Sequence, residues 1–76
     1  MKAKVLLNTV EKVKEFVNIL SKRKEDFDLV SGKYIIDAKS IMGIYSLDLS
    51  KPITLVSNSA DYDTMWPLLA KFIVAD

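Results

Sequence analysis

The chain has 76 residues, half of them hydrophobic, and a formal net charge of +1. It contains neither cysteine nor histidine, which excludes disulfides, thiolate or imidazole metal ligands, and the usual nucleophile–base pairs of catalysis. Carboxylates, lysine and tyrosine remain, but they form no recognisable catalytic or metal-binding motif. We therefore expect a protein that is not an enzyme and that uses no cofactor or metal.

The first two elements are a strand and a helix. Alternating charged and apolar residues predict a strand over residues 2–7. Asn8 followed by Glu11 has the spacing of a capping box, so we expect a helix to begin there. Apolar residues then recur at helical spacing and predict one buried helix face, made of Val10, Val13, Phe16, Val17 and Leu20.

A β-hairpin is predicted next. Two apolar runs lie on either side of Ser31-Gly32, a pair that is typical of a two-residue hairpin turn. Phe27 and Leu29 share one face of the first hairpin strand, because side chains alternate along a strand. We expect Ile35 to be their counterpart on the second strand.

The central part of the chain predicts a short helix and a strand. Ser40 is a favoured residue at a helix start, and the helix is expected over residues 40–47, with Ile44 and Leu47 in the core. A strand of mainly β-branched residues follows over residues 53–56.

The last element is a helix interrupted by a proline. Pro67 lacks a backbone N–H and is tolerated only near a helix start, so we expect Asp61 or Asp63 to be the N-cap. The helix is indicated by apolar residues at helical spacing, which are Met65, Leu68, Leu69 and Phe72.

The order β-α-β-β-α-β-α predicts an α+β fold in which three helices cover one side of a four-stranded antiparallel sheet. RNA-binding domains with a similar sheet expose aromatic residues on their central strands. Only Tyr34 offers such a residue here, on the third strand. A single-stranded RNA-binding or other interaction module is therefore the alternative function, and we do not expect nucleic-acid binding.

The sequence also bears on domain number and location. Its length suits one domain over residues 1–76. No apolar run approaches the roughly 20 residues that span a bilayer, and the N-terminus lacks the apolar stretch of a signal peptide. We expect a cytoplasmic protein with no membrane association.

One stretch carries a family resemblance. Residues 37–47 read Asp-Ala-Lys-Ser-Ile-Met-Gly-Ile-Tyr-Ser-Leu. This run, the chain length and the order of elements resemble HPr, the small phosphocarrier of the bacterial phosphoenolpyruvate-dependent sugar phosphotransferase system. The resemblance implies an HPr-like open-faced β-sandwich.

The resemblance fails at the family's carrier site. HPr proteins have a phosphorylated histidine after the first strand, followed by arginine and proline. The corresponding junction here is residues 8–12, which is shorter and has none of the three. Thr9 lies near the carrier position, and Glu11 brings a negative charge there. The resemblance therefore implies a degenerate carrier site that does not pass phosphoryl groups from enzyme I to sugar permeases.

The resemblance holds at the family's regulatory site. Ser40 matches the serine that a dedicated kinase phosphorylates in many Gram-positive bacteria. Ile41, Met42 and Tyr45 match the apolar patch with which HPr proteins contact partners. This implies a regulatory or adaptor paralogue whose protein partners are an HPr-type serine kinase, a transcriptional regulator or other phosphotransferase-system components. The simpler interpretation is that Ser40 is only a helix cap and that the three apolar residues pack in the core.

Overall fold

The computed structural model describes residues 2–58 and 62–74, with Tyr62 described by its backbone alone. Its elements follow the predicted order, with the bounds β1 Lys2–Val5, α1 Val10–Ser21, β2 Phe27–Ser31, β3 Tyr34–Asp37, α2 Ile41–Tyr45, β4 Ile53–Ser57 and α3 Tyr62–Leu69.

The four strands form one sheet in the order β1-β4-β2-β3, and every neighbouring pair is antiparallel. One face of the sheet is buried. Val5 lies opposite Ile53 and Leu29 opposite Leu55, so these four buried side chains project from the same side. They form one hydrophobic core with buried residues of all three helices. The predicted α+β architecture, with the helices on one side of the sheet, is confirmed.

Helix α1 is the main helical contribution to this core. Val13, Phe16 and Leu20 are completely buried, and the Phe16 ring meets Phe72 edge to face, with centroids 5.4 Å apart. Val10, which was expected on the same face, is 52% exposed. At about 100° per residue, Val10 lies roughly 90° from the centre of the buried face, so this part of the prediction was wrong.

The start of α1 also differs from the prediction. The N-cap is Thr9, whose hydroxyl accepts a hydrogen bond from the Lys12 N–H at 3.1 Å. Asn8 was expected in this role, but its side chain instead accepts from Lys12 Nζ at 3.1 Å. The capping-box prediction placed the helix start one residue too early.

The hairpin turn lies one residue later than predicted. Ser31 pairs with Tyr34, so the turn is Gly32-Lys33, and Gly32 has a φ of +60°, which suits glycine. Cross-strand partners share a face of the sheet, and a turn at either position pairs the odd-numbered Leu29 with an even-numbered residue of β3. Ile36 packs against the core opposite Leu29. Ile35, which was expected there, is 68% exposed.

Helix α3 contains Pro67 as its sixth residue, just past the first turn. Asp63 lies in that first turn, so it is not the N-cap, and Asp61 is outside the described residues. Met65, Leu69 and Phe72 are buried as predicted, whereas Leu68 is exposed. The helix therefore contacts the core with a narrower stripe than its sequence pattern indicated.

Candidate functional site

Ser40 is exposed at the start of α2. Its hydroxyl accepts a hydrogen bond from the Gly43 N–H at 3.2 Å, and its carbonyl accepts from the Ile44 N–H at 3.0 Å. Ser40 is therefore the N-cap of a five-residue helix that is shorter than the stretch predicted from the sequence. Its side-chain oxygen is held by a neutral hydrogen bond at the surface.

The segment before Ser40 is tied to the end of α1. Lys39 Nζ donates to the Arg23 carbonyl at 2.8 Å and lies 5.7 Å from the centroid of the Phe27 ring. The Lys39 N–H donates to Asp37 Oδ1 at 2.9 Å. Sequence reasoning missed this role of Lys39, because its acceptor lies 16 residues away and no local pattern reports it. The link fixes the backbone that presents Ser40.

Gly43 permits close packing beneath the serine. A Cβ atom added at Gly43 would lie 3.2 Å from Ser40 Oγ and 3.4 Å from Ile36 Cδ1. The first distance is tighter than most contacts of a Cβ atom, whereas the second is close to an ordinary van der Waals contact. A side chain at this position would therefore push against the Ser40 cap.

The α2 patch, defined as Ile41, Met42 and Tyr45, is partly at the surface. Met42 is 75% exposed and Tyr45 is 40% exposed. Ile41 is half-buried and packs against the core, which α2 enters mainly through the fully buried Ile44. The structure therefore brings two of the three expected contact residues to the surface and leaves the third at the edge of the core.

Thr9 is the residue that the sequence resemblance placed near the carrier position. It is exposed, and its hydroxyl caps α1 as described above. Glu11 is also exposed and lies in the first turn of α1. A negative side chain near a helix N-terminus interacts favourably with the helix dipole, so both residues have a structural explanation at this site.

The face of the sheet opposite the helices presents two cross-strand rows of side chains, set by the strand register. The first row reads Lys2, Val56, Asp28 and Asp37 from β1 to β3. The second row reads Lys4, Thr54, Val30 and Ile35 in the same order. Neither row contains an aromatic residue, and Tyr34 lies at the end of the hairpin opposite Ser31. The described part of this face does not offer the stacked aromatics of an RNA-binding sheet.

Within residues 2–58 and 62–74, no group of three or more carboxylate, histidine or cysteine side chains is placed to hold a metal ion. No helix in these ranges is long and apolar enough to cross a membrane.

Comparisons with known proteins bear on the fold. No family model and no curated protein matches the chain. Among solved structures, the chain is similar to the crystal structure of HPr-C-His from Thermoanaerobacter tengcongensis, with a TM-score of 0.76 and 22% sequence identity. The match covers 93% of this chain and 88% of that chain. The chain therefore has an HPr-like fold.

Proposed function

We propose that residues 1–76 form a single HPr-like domain with a regulatory or adaptor role in the phosphoenolpyruvate-dependent sugar phosphotransferase system, and that phosphorylation of Ser40 is its switch. The observation that carries the proposal is the exposed Ser40 hydroxyl beside the exposed Met42 on α2. A phosphoserine adds about two negative charges. Placed next to apolar surface, these charges create or block a protein contact.

The fold can accept a phosphate at Ser40 without loss of its core. The side-chain contact given above for Ser40 is one neutral hydrogen bond, to the Gly43 N–H. Losing such a cap costs about 1 kcal/mol. The burial of Ile44 and the bond from Lys39 Nζ to the Arg23 carbonyl do not involve the Ser40 hydroxyl. Modification would therefore change the surface of α2 more than its position.

The α2 patch is the partner surface in this proposal. Met42 has a flexible and polarisable side chain, which adapts to different apolar partners. Tyr45 offers an apolar ring with a polar tip. The proposed partners are proteins: the HPr-type serine kinase itself, a transcriptional regulator or other phosphotransferase-system components.

The proposal assigns no carrier role to the chain. The sequence has no histidine, so no imidazole can accept a phosphoryl group. A phosphothreonine ester at Thr9 lacks the labile P–N bond that makes onward transfer easy. The exposed carboxylate of Glu11 would also repel a phosphate at the start of α1.

A kinase assay tests the switch. The chain is incubated with ATP and an HPr-type serine kinase, and its intact mass is measured. We expect wild type to gain one phosphate and Ser40→Ala to gain none. Ser46→Ala is the matched control, because Ser46 is the exposed C-cap of the same helix. Labelling of Ser40→Ala, or no labelling of wild type and Ser46→Ala, would contradict the proposal.

A kinetic comparison tests the patch. The double variant Met42→Ala, Tyr45→Ala should raise the kinase's KM for the chain about fivefold or more, since truncated contact residues at the centre of an interface cost at least about 1 kcal/mol. Val10→Ala is the control, because Val10 is an exposed apolar residue on α1. Equal KM values for all three proteins would exclude docking through the α2 patch.

A further inference from the structure

The open face of the sheet combines exposed apolar side chains with a separation of charge. The open face is the side of the sheet opposite the helices, which carries the two rows of side chains described above. Ile35 on the edge strand β3 is its most exposed apolar residue, and the half-buried Val30 and Val56 continue the apolar area toward β4.

The charges on the open face are sorted by strand. In the part of the chain that the structure describes, the two lysines of this face, Lys2 and Lys4, lie on β1 at one side. The two carboxylates described there lie at the other side, with Asp28 on β2 and Asp37 on β3. The face therefore runs from positive to negative across the strands, with apolar residues between. Asp37 also accepts the Lys39 N–H, a bond that leaves its charge in place.

Two symmetric ways of stacking two such faces can be compared. A two-fold axis across the strands would set β1 over β1, so that lysines face lysines and carboxylates face carboxylates. An axis parallel to the strands sets β1 of one copy over β3 of the other. Lys2 then faces Asp37 of the second copy, and the apolar stem of Lys4 lies over Ile35. Both interactions occur twice, because the interface is symmetric.

We propose that the chain forms a weak dimer through its open faces, with the two-fold axis parallel to the strands. Sheets packed face to face keep their strands within about 30° of each other, which this arrangement allows. Opposite charges across the interface fix the orientation and exclude the alternative. The proposal does not rest on Ser40: α2 is on the other side of the sheet, so both α2 patches point away from the dimer interface.

The size of the face sets the expected affinity. Four strands about 4.8 Å apart, each four or five residues long, give a face of roughly 300 Å². A stable interface buries about 800 Å² on each partner. Because the face is smaller than this, we expect weak, reversible association, with a dissociation constant between about 10 µM and 1 mM.

Sedimentation velocity of the whole chain between about 10 µM and 1 mM tests the dimer, with two charge-reversed variants. Lys2→Glu, Lys4→Glu makes both sides of the face acidic. Asp28→Lys, Asp37→Asn makes it basic while an oxygen remains to accept the Lys39 N–H. Each variant alone should associate at least about tenfold more weakly than wild type, because the first sets two carboxylates face to face and the second removes the carboxylate that faces Lys2. Their equimolar mixture should recover association, because Lys2 of the second variant then faces Asp37 of the first.

The matched control is Lys14→Glu, Lys24→Glu, which makes the same charge change at exposed positions off the open face and should associate like wild type. Circular dichroism checks that each variant is folded, and Ile35→Lys is a second, independent disruption of the face. A wild type that stays monomeric up to about 1 mM would overturn the proposal. So would a dimer that the reversals and Ile35→Lys leave unchanged, since it would use another surface.

Discussion

The starts of α1 and α2 use the same hydrogen bond in different surroundings. In α1 the Thr9 hydroxyl accepts from the Lys12 N–H at 3.1 Å, and in α2 the Ser40 hydroxyl accepts from the Gly43 N–H at 3.2 Å. Helix α1 then continues for 12 residues and buries three side chains completely. Helix α2 has five residues, and only Ile44 of these is completely buried. Identical cap chemistry thus serves a long structural helix in one place and a short surface helix in the other.

The surroundings of the two hydroxyls distinguish a helix cap from a candidate regulatory site, which the local sequence alone cannot do. A hydroxyl before a helix is a cap by its own chemistry, and both residues satisfy that description. Exposed apolar side chains follow both residues, Val10 after Thr9 and Met42 after Ser40, so what distinguishes the sites is charge: Glu11 lies in the first turn of α1, whereas the first turn of α2 has no acidic residue. This difference supports the proposal that Ser40, and not Thr9, carries a regulatory phosphate.

The largest effect should come from the core anchor of α1. Phe16→Ala removes a fully buried ring and its edge-to-face contact with Phe72, so the free energy of unfolding should fall by about 3–5 kcal/mol. Urea denaturation followed by circular dichroism measures this change. Met42→Ala, on the surface of α2, should stay within about 0.5 kcal/mol of wild type. A loss below about 1 kcal/mol for Phe16→Ala would mean that α1 is not the main anchor.

The anchor of α2 should matter less. Ile44→Ala should lower the free energy of unfolding by about 2–3 kcal/mol, toward the lower end of the range for buried isoleucine, because a short helix can settle into the space left behind. The same denaturation experiment tests it. A loss larger than that of Phe16→Ala would reverse the comparison between the two helices.

Removing either cap should have a smaller and similar effect. Thr9→Ala and Ser40→Ala should each cost about 1 kcal/mol of stability, since each leaves one N–H of the first helical turn without its side-chain acceptor. Ser40→Asp should cost much less, because aspartate is also a good N-cap. Thermal unfolding of the three variants tests this equivalence. A Ser40→Ala variant as stable as wild type would show that the cap bond contributes little at α2.

The smallest effect concerns the turn after α2. The Ser50 hydroxyl donates to Asp48 Oδ1 at 2.6 Å, and the Ser50 N–H donates to the same oxygen at 3.1 Å. These two bonds lower the pKa of the Asp48 carboxyl. A carboxylate with a lowered pKa stabilises the folded state above its unfolded pKa, and that contribution is lost as the pH falls through the folded pKa. Ser50→Ala should raise the pKa of Asp48 toward 3.8, measured by NMR titration. An unchanged pKa would show that the hydroxyl is not the cause.

The order of elements and the Ser40 cap could be predicted because they depend on local chemistry. Periodicity located each helix, β-branched residues located β4, and a serine before an apolar run indicated the start of α2. The position of the hairpin turn could not be predicted in the same way, because Ser31-Gly32 and Gly32-Lys33 both contain the required glycine. Only the pairing of Ser31 with Tyr34 decides between them.

Two other features depend on tertiary structure. Val10 is exposed because it lies roughly 90° from the centre of the buried face of α1, and the sequence pattern alone does not fix that centre. The bond from Lys39 to the Arg23 carbonyl joins residues 16 positions apart. The candidate site was therefore predictable as a position in the chain, whereas the contacts that hold it in place were not.

The contrast between the two hydroxyls is tested most directly by intact-mass measurement of one preparation under two phosphate donors, with fragmentation to locate the modified residue. With ATP and an HPr-type serine kinase, we expect one added phosphate on Ser40. With phosphoenolpyruvate and enzyme I, we expect no added phosphate. A phosphate on Thr9, or any phosphate gained from phosphoenolpyruvate, would contradict the account.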